Sequence, residues 1–108
     1  MDSVGAWQEA LRDSGMSETE VAERLATLKE FCELASLPPD DVVETCVDRE
    51  RGRITAGGRK KIESLIDEFA AAADGDPTSR AATRRANVVR SFLIHNGVRV
   101  LAPKAPWL

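Results

Sequence analysis

The sequence predicts an all-α fold: a compact bundle of four main helices plus a short N-terminal one. Three observations predict it. Apolar residues recur at three- and four-residue intervals, and no run of alternating β-branched residues is long enough for a sheet. Helix starts and stops punctuate the chain: a Ser17–Glu20 capping box, Pro38–Pro39, and glycines after apolar stripes. Finally, 108 residues, 43% hydrophobic and 31% charged, suit one globular domain with one core.

The first helix covers Val4–Asp13, with Trp7 and Leu11 four apart on one face. Ser14–Gly15 ends it, because glycine suits the left-handed position after a helix. The second helix follows Ser17 and Glu20, each side chain able to satisfy an orphan N–H of the other's turn. Val21, Leu25, Leu28, Cys32 and Leu34–Ala35 keep the helical period with Phe31 alongside, and Glu23, Glu30 and Glu33 form an acidic, solvated face. Leu37–Pro38–Pro39 stops it, since a residue before proline is pushed out of the α region. The third helix begins at Pro39, where Asp40 and Asp41 favour the first turn, and buries Val42, Val43, Cys46 and Val47.

Asp48–Gly58 contains Gly52, Gly57 and Gly58 among alternating charges and reads as an exposed, mobile loop. Arg59–Ala73 forms the fourth helix on a stripe of Ile62, Leu65, Ile66 and Phe69, and Asp74–Pro77 is a turn. The last helix runs from about Ser79 to Asn96 and stops at Gly97; Ala82, Ala86, Val89 and Leu93 face inward, flanked by Phe92. Val98–Leu101 is strand-like but alone. Residues 1–101 are therefore expected to form the domain. Residues 102–108, with two prolines and an exposed-looking Trp107, have the composition of a linker leading to a further domain.

Charge is unevenly distributed. Residues 1–50 carry 13 acids and 4 bases, and residues 51–108 carry 5 acids and 11 bases. From Pro77 onward there are six bases and no acid, a one-sided field that attracts polyanions. Eleven of the bases in the chain are arginines, whose forked guanidinium suits phosphate.

On the last helix Arg80, Arg84, Asn87, Ser91 and His95 share the arc opposite the apolar stripe, with Arg85 and Arg90 on the shoulders. Arginines neutralise phosphates, while Asn and Ser donate to phosphate or read base edges. A second cluster, Arg59–Lys60–Lys61, follows a Gly–Gly turn at a helix N-terminus, where bases oppose the dipole and an anion would compensate. Arg80, Arg84, Asn87, Ser91 and Arg90, with Arg59, Lys60 and Lys61, are the candidate DNA contacts.

Other features point away from chemistry. Cys32 and Cys46 lie on apolar faces without a basic neighbour, as small core residues rather than thiolates. His95 near a helix end reads as a cap, Trp7 as a core anchor, and the paired carboxylates as first-turn residues. No nucleophile, base and oxyanion site assemble, and no cysteine or histidine pair has metal-ligand spacing. The expectation is a non-enzyme in the cytoplasm, with no cofactor, metal, membrane or small-molecule substrate. An alternative that the charge pattern allows is a helical protein-interaction module docking through complementary acidic and basic faces.

Three segments carry a family resemblance: Arg90–Ser–Phe–Leu–Ile–His–Asn–Gly–Val, Thr27–Leu–Lys–Glu–Phe–Cys–Glu–Leu, and Leu37–Pro–Pro–Asp–Asp–Val–Val. Over roughly residues 17–100 the chain resembles the core-binding, SAM-like domain of tyrosine recombinases (phage-type integrases). It departs at Ala81, where that family usually has Thr, and in its longer segment 48–58. The chain has no Tyr, so the family's nucleophile is missing. The resemblance implies a SAM-like helical domain that clamps double-stranded DNA without catalysing strand exchange itself, as one jaw of a recombination complex with other protomers.

Overall fold

The computed structural model describes residues 2–48, 52–73, 75–76 and 78–98. Five helices build the fold: α1 (Ser3–Asp13), α2 (Glu18–Ala35), α3 (Pro39–Thr45), α4 (Ala56–Ala71) and α5 (Arg80–His95). Their order and type follow the apolar periodicity. Between α3 and α4 the chain makes a two-residue antiparallel pair, β1 (Val47–Asp48) with β2 (Arg53–Ile54), Val47 lying opposite Ile54.

Local chemistry sets the helix ends. Asp2 accepts from Gly5 N–H at 2.8 Å to start α1, and Ser79 accepts from Ala82 N–H at 3.0 Å to start α5. At α2, Ser17 Oγ accepts from Glu20 N–H at 3.2 Å, and the Glu20 carboxylate takes the Ser17 hydroxyl in place of the backbone N–H expected of the box. Gly15 and Gly97 occupy the left-handed region after α1 and α5, at φ +92° and +84°. Ser36 does the same after α2, at φ +57°. Leu37 N–H then bonds Cys32 O at 3.1 Å, the pattern of a Schellman end without its glycine.

Of the segment expected as a loop, 48–58, residues 49–51 lie outside the described ones; residues 53–58 are not an open loop but form β2 and the start of α4. α4 starts at Ala56, three residues before Arg59, and takes Gly57 and Gly58 into its first turn. Docking against the end of α3 explains this. Thr55 N–H donates to Cys46 O at 2.9 Å, and a Cβ at Gly58 would run into the Thr45 carbonyl oxygen. Gly58 thus permits a close backbone approach, whereas a Cβ at Gly57 would meet nothing within 4 Å.

The core is one cluster to which every helix contributes. α5 packs against α1, α2 and α4. Trp7, Phe31, Phe69 and Phe92 are fully buried. They form two edge-to-face pairs, Trp7–Phe92 at 5.6 Å and Phe31–Phe69 at 5.5 Å. Such pairs contribute about 0.5–1.5 kcal/mol beyond the area they bury. Of the expected core residues, Leu25, Ala35, Val47 and Leu65 are partly buried and packed against the core, and Leu34 is 36% exposed. It lies two residues beyond Cys32, about 200° around the helix, off the inward stripe. Val98 is fully buried at the end of the described chain, and the expected linker 102–108 lies outside the described residues.

Candidate nucleic-acid interface

The two halves of α5 do different things. The C-terminal half is fastened to α1. Trp7 Nε1–H donates to Ser91 Oγ at 3.1 Å, and Phe92 packs on the Trp7 ring. Asn96 Nδ2 donates to Ser3 O at 3.1 Å and to Phe92 O at 2.9 Å. Gly97 turns the chain so that Val98 N–H reaches Leu93 O at 2.9 Å. His95 Nδ1 lies 2.8 Å from Ser91 O, one turn back; a carbonyl only accepts, so Nδ1 donates there, to a carbonyl inside the helix rather than to the free carbonyls at its end that a cap would satisfy. Ser3 extends the joint, because its N–H and hydroxyl both donate to Asp40 Oδ1 at the start of α3. The Ser3 hydroxyl and then the Ser3 N–H hold the Asp40 carboxyl below the usual carboxylate range. Ser91, Phe92, Asn96, Gly97 and Val98 are all committed to this joint, and Ser91 is half-buried within it.

The N-terminal half is open. Arg80, Arg84 and Asn87 are exposed, as their arc predicts. Pairing sets two of these residues apart. Arg12, Arg59 and Arg85 each meet a glutamate: Glu18 at 2.9 Å, Glu63 at 3.7 Å and Glu30 at 3.1 Å. Among the described residues, Arg24, Arg80, Arg84 and the half-buried Arg90 meet no carboxylate. The first three line one groove of about 600 Å³ between α5 and the N-terminal part of α2. Its floor includes Leu11, Met16 and Val88. Arg24, whose Nη1 bonds Glu20 O at 3.4 Å, sits on a helix whose sequence is acidic, and nothing in its spacing marks it.

The other candidates lie elsewhere. Arg85 is a structural staple: its guanidinium sits 3.9 Å over the Phe69 ring, Nε–H donates to Phe69 O at 3.2 Å, and Nη1 pairs with Glu30. Since Arg85 meets Phe69, Arg59–Lys61 are about 15 Å away along α4. Neither groove lined by Arg84 includes Arg59, Lys60 or Lys61. Lys60 and Lys61 are exposed past the first turn of α4 rather than at its start, and Arg59 faces Glu63. Arg90 is half-buried, with Nη1 on Asn87 Oδ1 at 3.4 Å.

Acidic and basic surfaces adjoin rather than oppose each other. Glu20 and Glu23 line a second groove of about 370 Å³ together with Arg24, Arg84 and Arg85. Cys32 and Cys46 are buried, and burial pushes both thiols up to about 11, so neither is a nucleophile at neutral pH. No helix among the described residues is long and apolar enough to cross a membrane. The chain matches no protein family, no curated protein and no solved structure.

Proposed function

We propose that this chain is a non-catalytic DNA-binding domain that holds double-stranded DNA by its backbone along the N-terminal half of α5. One observation carries the reading: Arg80 and Arg84 are exposed, lack a carboxylate partner among the described residues, and sit one turn apart on a face with no acid. Cations about 6 Å apart that form no ion pair suit phosphates, and Asn87 one turn on adds a neutral donor. Lys60 and Lys61 would hold backbone further along the duplex. On this reading the domain acts in the cytoplasm as one jaw of a recombinase-type clamp, and strand exchange belongs to a catalytic domain outside this chain. The recombinase class rests on the motif resemblance. DNA binding rests on the arginines, because the Ser91–Val98 part of the motif is accounted for by the α1–α5 joint.

The test is fluorescence anisotropy with a random-sequence duplex across a salt series. Wild type binds, with log K falling against log salt at a slope of about −3 to −5 for a handful of phosphate contacts. Arg80→Glu/Arg84→Glu loses at least tenfold in affinity. A slope near zero, or a double variant that binds as wild type does, overturns the proposal.

A second reading is favoured by Glu20 and Glu23 beside Arg84 and Arg85. Adjacent surfaces of opposite sign suit a protein-interaction module whose copies dock acidic face to basic face. Self-association in analytical ultracentrifugation, lost at high salt, would select it.

A further inference from the structure

We infer that the groove between α2 and α5 seats one sugar–phosphate strand, gripped by Arg24 from the α2 wall and by Arg80 and Arg84 from the α5 wall. This rests on the DNA-binding reading and extends the interface onto a second helix.

Length sets the scale of the occupant: the groove follows α5 from Thr78 to Ser91, about 20 Å at the helical rise, room for several steps of an extended strand.

Charge narrows the choice. The three arginines lining the groove meet no carboxylate among the described residues, nor does Arg90 outside the groove, and three like charges along one groove favour an anion between them. A DNA strand presents a phosphate about every 3.4 Å of helix axis, enough to face all three at once. Neutral donors, Thr83 and Asn87, also line the groove and suit phosphate oxygens, whereas the Thr78 hydroxyl is taken by Asp76 Oδ1 at 2.7 Å. The apolar floor of Leu11, Met16 and Val88 suits sugar carbons. An extended acidic peptide would satisfy the arginines but needs an acid at each of three fixed places; a phosphodiester strand supplies charge at every step.

The experiment compares wild type, Arg24→Gln, Arg24→Lys, Arg84→Gln and Arg12→Gln on the same duplex across the salt series, with circular dichroism confirming the fold of each. Arg24→Gln is expected to lose about as much affinity as Arg84→Gln, several-fold at low salt, and to flatten the salt slope by about one. Arg24→Lys keeps most of the slope, and Arg12→Gln, whose arginine pairs with Glu18 outside the groove, binds as wild type does. If Arg84→Gln weakens binding and Arg24→Gln does not, DNA lies on α5 but not in the groove: this inference falls and the DNA reading stands. If wild type binds no DNA, both fall. If a poly-glutamate peptide binds in an Arg24-dependent way and DNA does not, the occupant is an acidic peptide and the inference is overturned.

Discussion

The two ends of α5 both carry polar side chains, and those side chains have opposite fates. At the C-terminal end, polar side chains are used up in joining helices: Ser91 by Trp7, and Asn96 by Ser3 O and Phe92 O. At the N-terminal end, Arg80, Arg84 and Asn87 stand exposed beside a groove. The difference teaches that a recurring sequence motif and a functional surface can share one helix without coinciding. The Arg90–Val98 stretch carries the family resemblance and does mostly structural work. The recognisable part of α5 is therefore not the part that meets DNA in the proposed complex.

Three measurements sharpen or break this comparison. The largest effect is expected at the fastened end. Trp7→Ala removes a fully buried indole, its edge contact with Phe92 and the donor to Ser91, and should cost about 3–5 kcal/mol in denaturant unfolding. A cost below about 1 kcal/mol would mean that the joint is not fastened as described.

A smaller effect is expected where the same joint reaches α3. The Asp40 carboxyl is held low by Ser3, so its contribution is present above the ordinary unfolded Asp range, near 3.9, and is lost as pH falls through the folded value. Wild type should be more stable than Asp40→Asn at neutral pH, and the gap should close in acid below about pH 4. A gap that is constant with pH would show that the Ser3–Asp40 contact does not depend on the carboxylate charge.

The smallest stability effect belongs to the open end. Replacing Arg80 and Arg84 by Ala should change stability by no more than about 0.5 kcal/mol, because neither side chain meets a carboxylate among the described residues. Relief of their mutual repulsion could even stabilise the fold slightly. A loss like that at Trp7 would erase the distinction between the two halves.

The contrast between Arg85 and Arg84 shows where reading the sequence stops. The two are neighbours in the chain and both lie off the apolar stripe. Arg85 is held by Phe69 and by Glu30, which is 55 residues away, while Arg84 is held by nothing comparable. No local rule separates them, because the partner that neutralises Arg85 comes from another helix. Arg24 was invisible for the same reason: it joins Arg80 and Arg84 only once α2 is laid beside α5. Gly57 and Gly58 form a similar pair. Both read as loop residues, but Gly58 lies against the Thr45 carbonyl and Gly57 against open space.

What the sequence determined by itself is local: the five helices, their caps at Ser17 and Ser79, their glycine stops at Gly15 and Gly97, and nearly all of the core. Each depends on hydrogen bonds or periodicities within one or two turns, so neighbouring residues suffice to specify them. What only the tertiary structure decided is which charges remain unpaired, where Arg24 stands, and that Thr55 and Gly58 lie against the end of α3. These depend on backbone and charge brought together from distant positions, and a one-dimensional pattern does not encode which residues come within a few ångströms of one another.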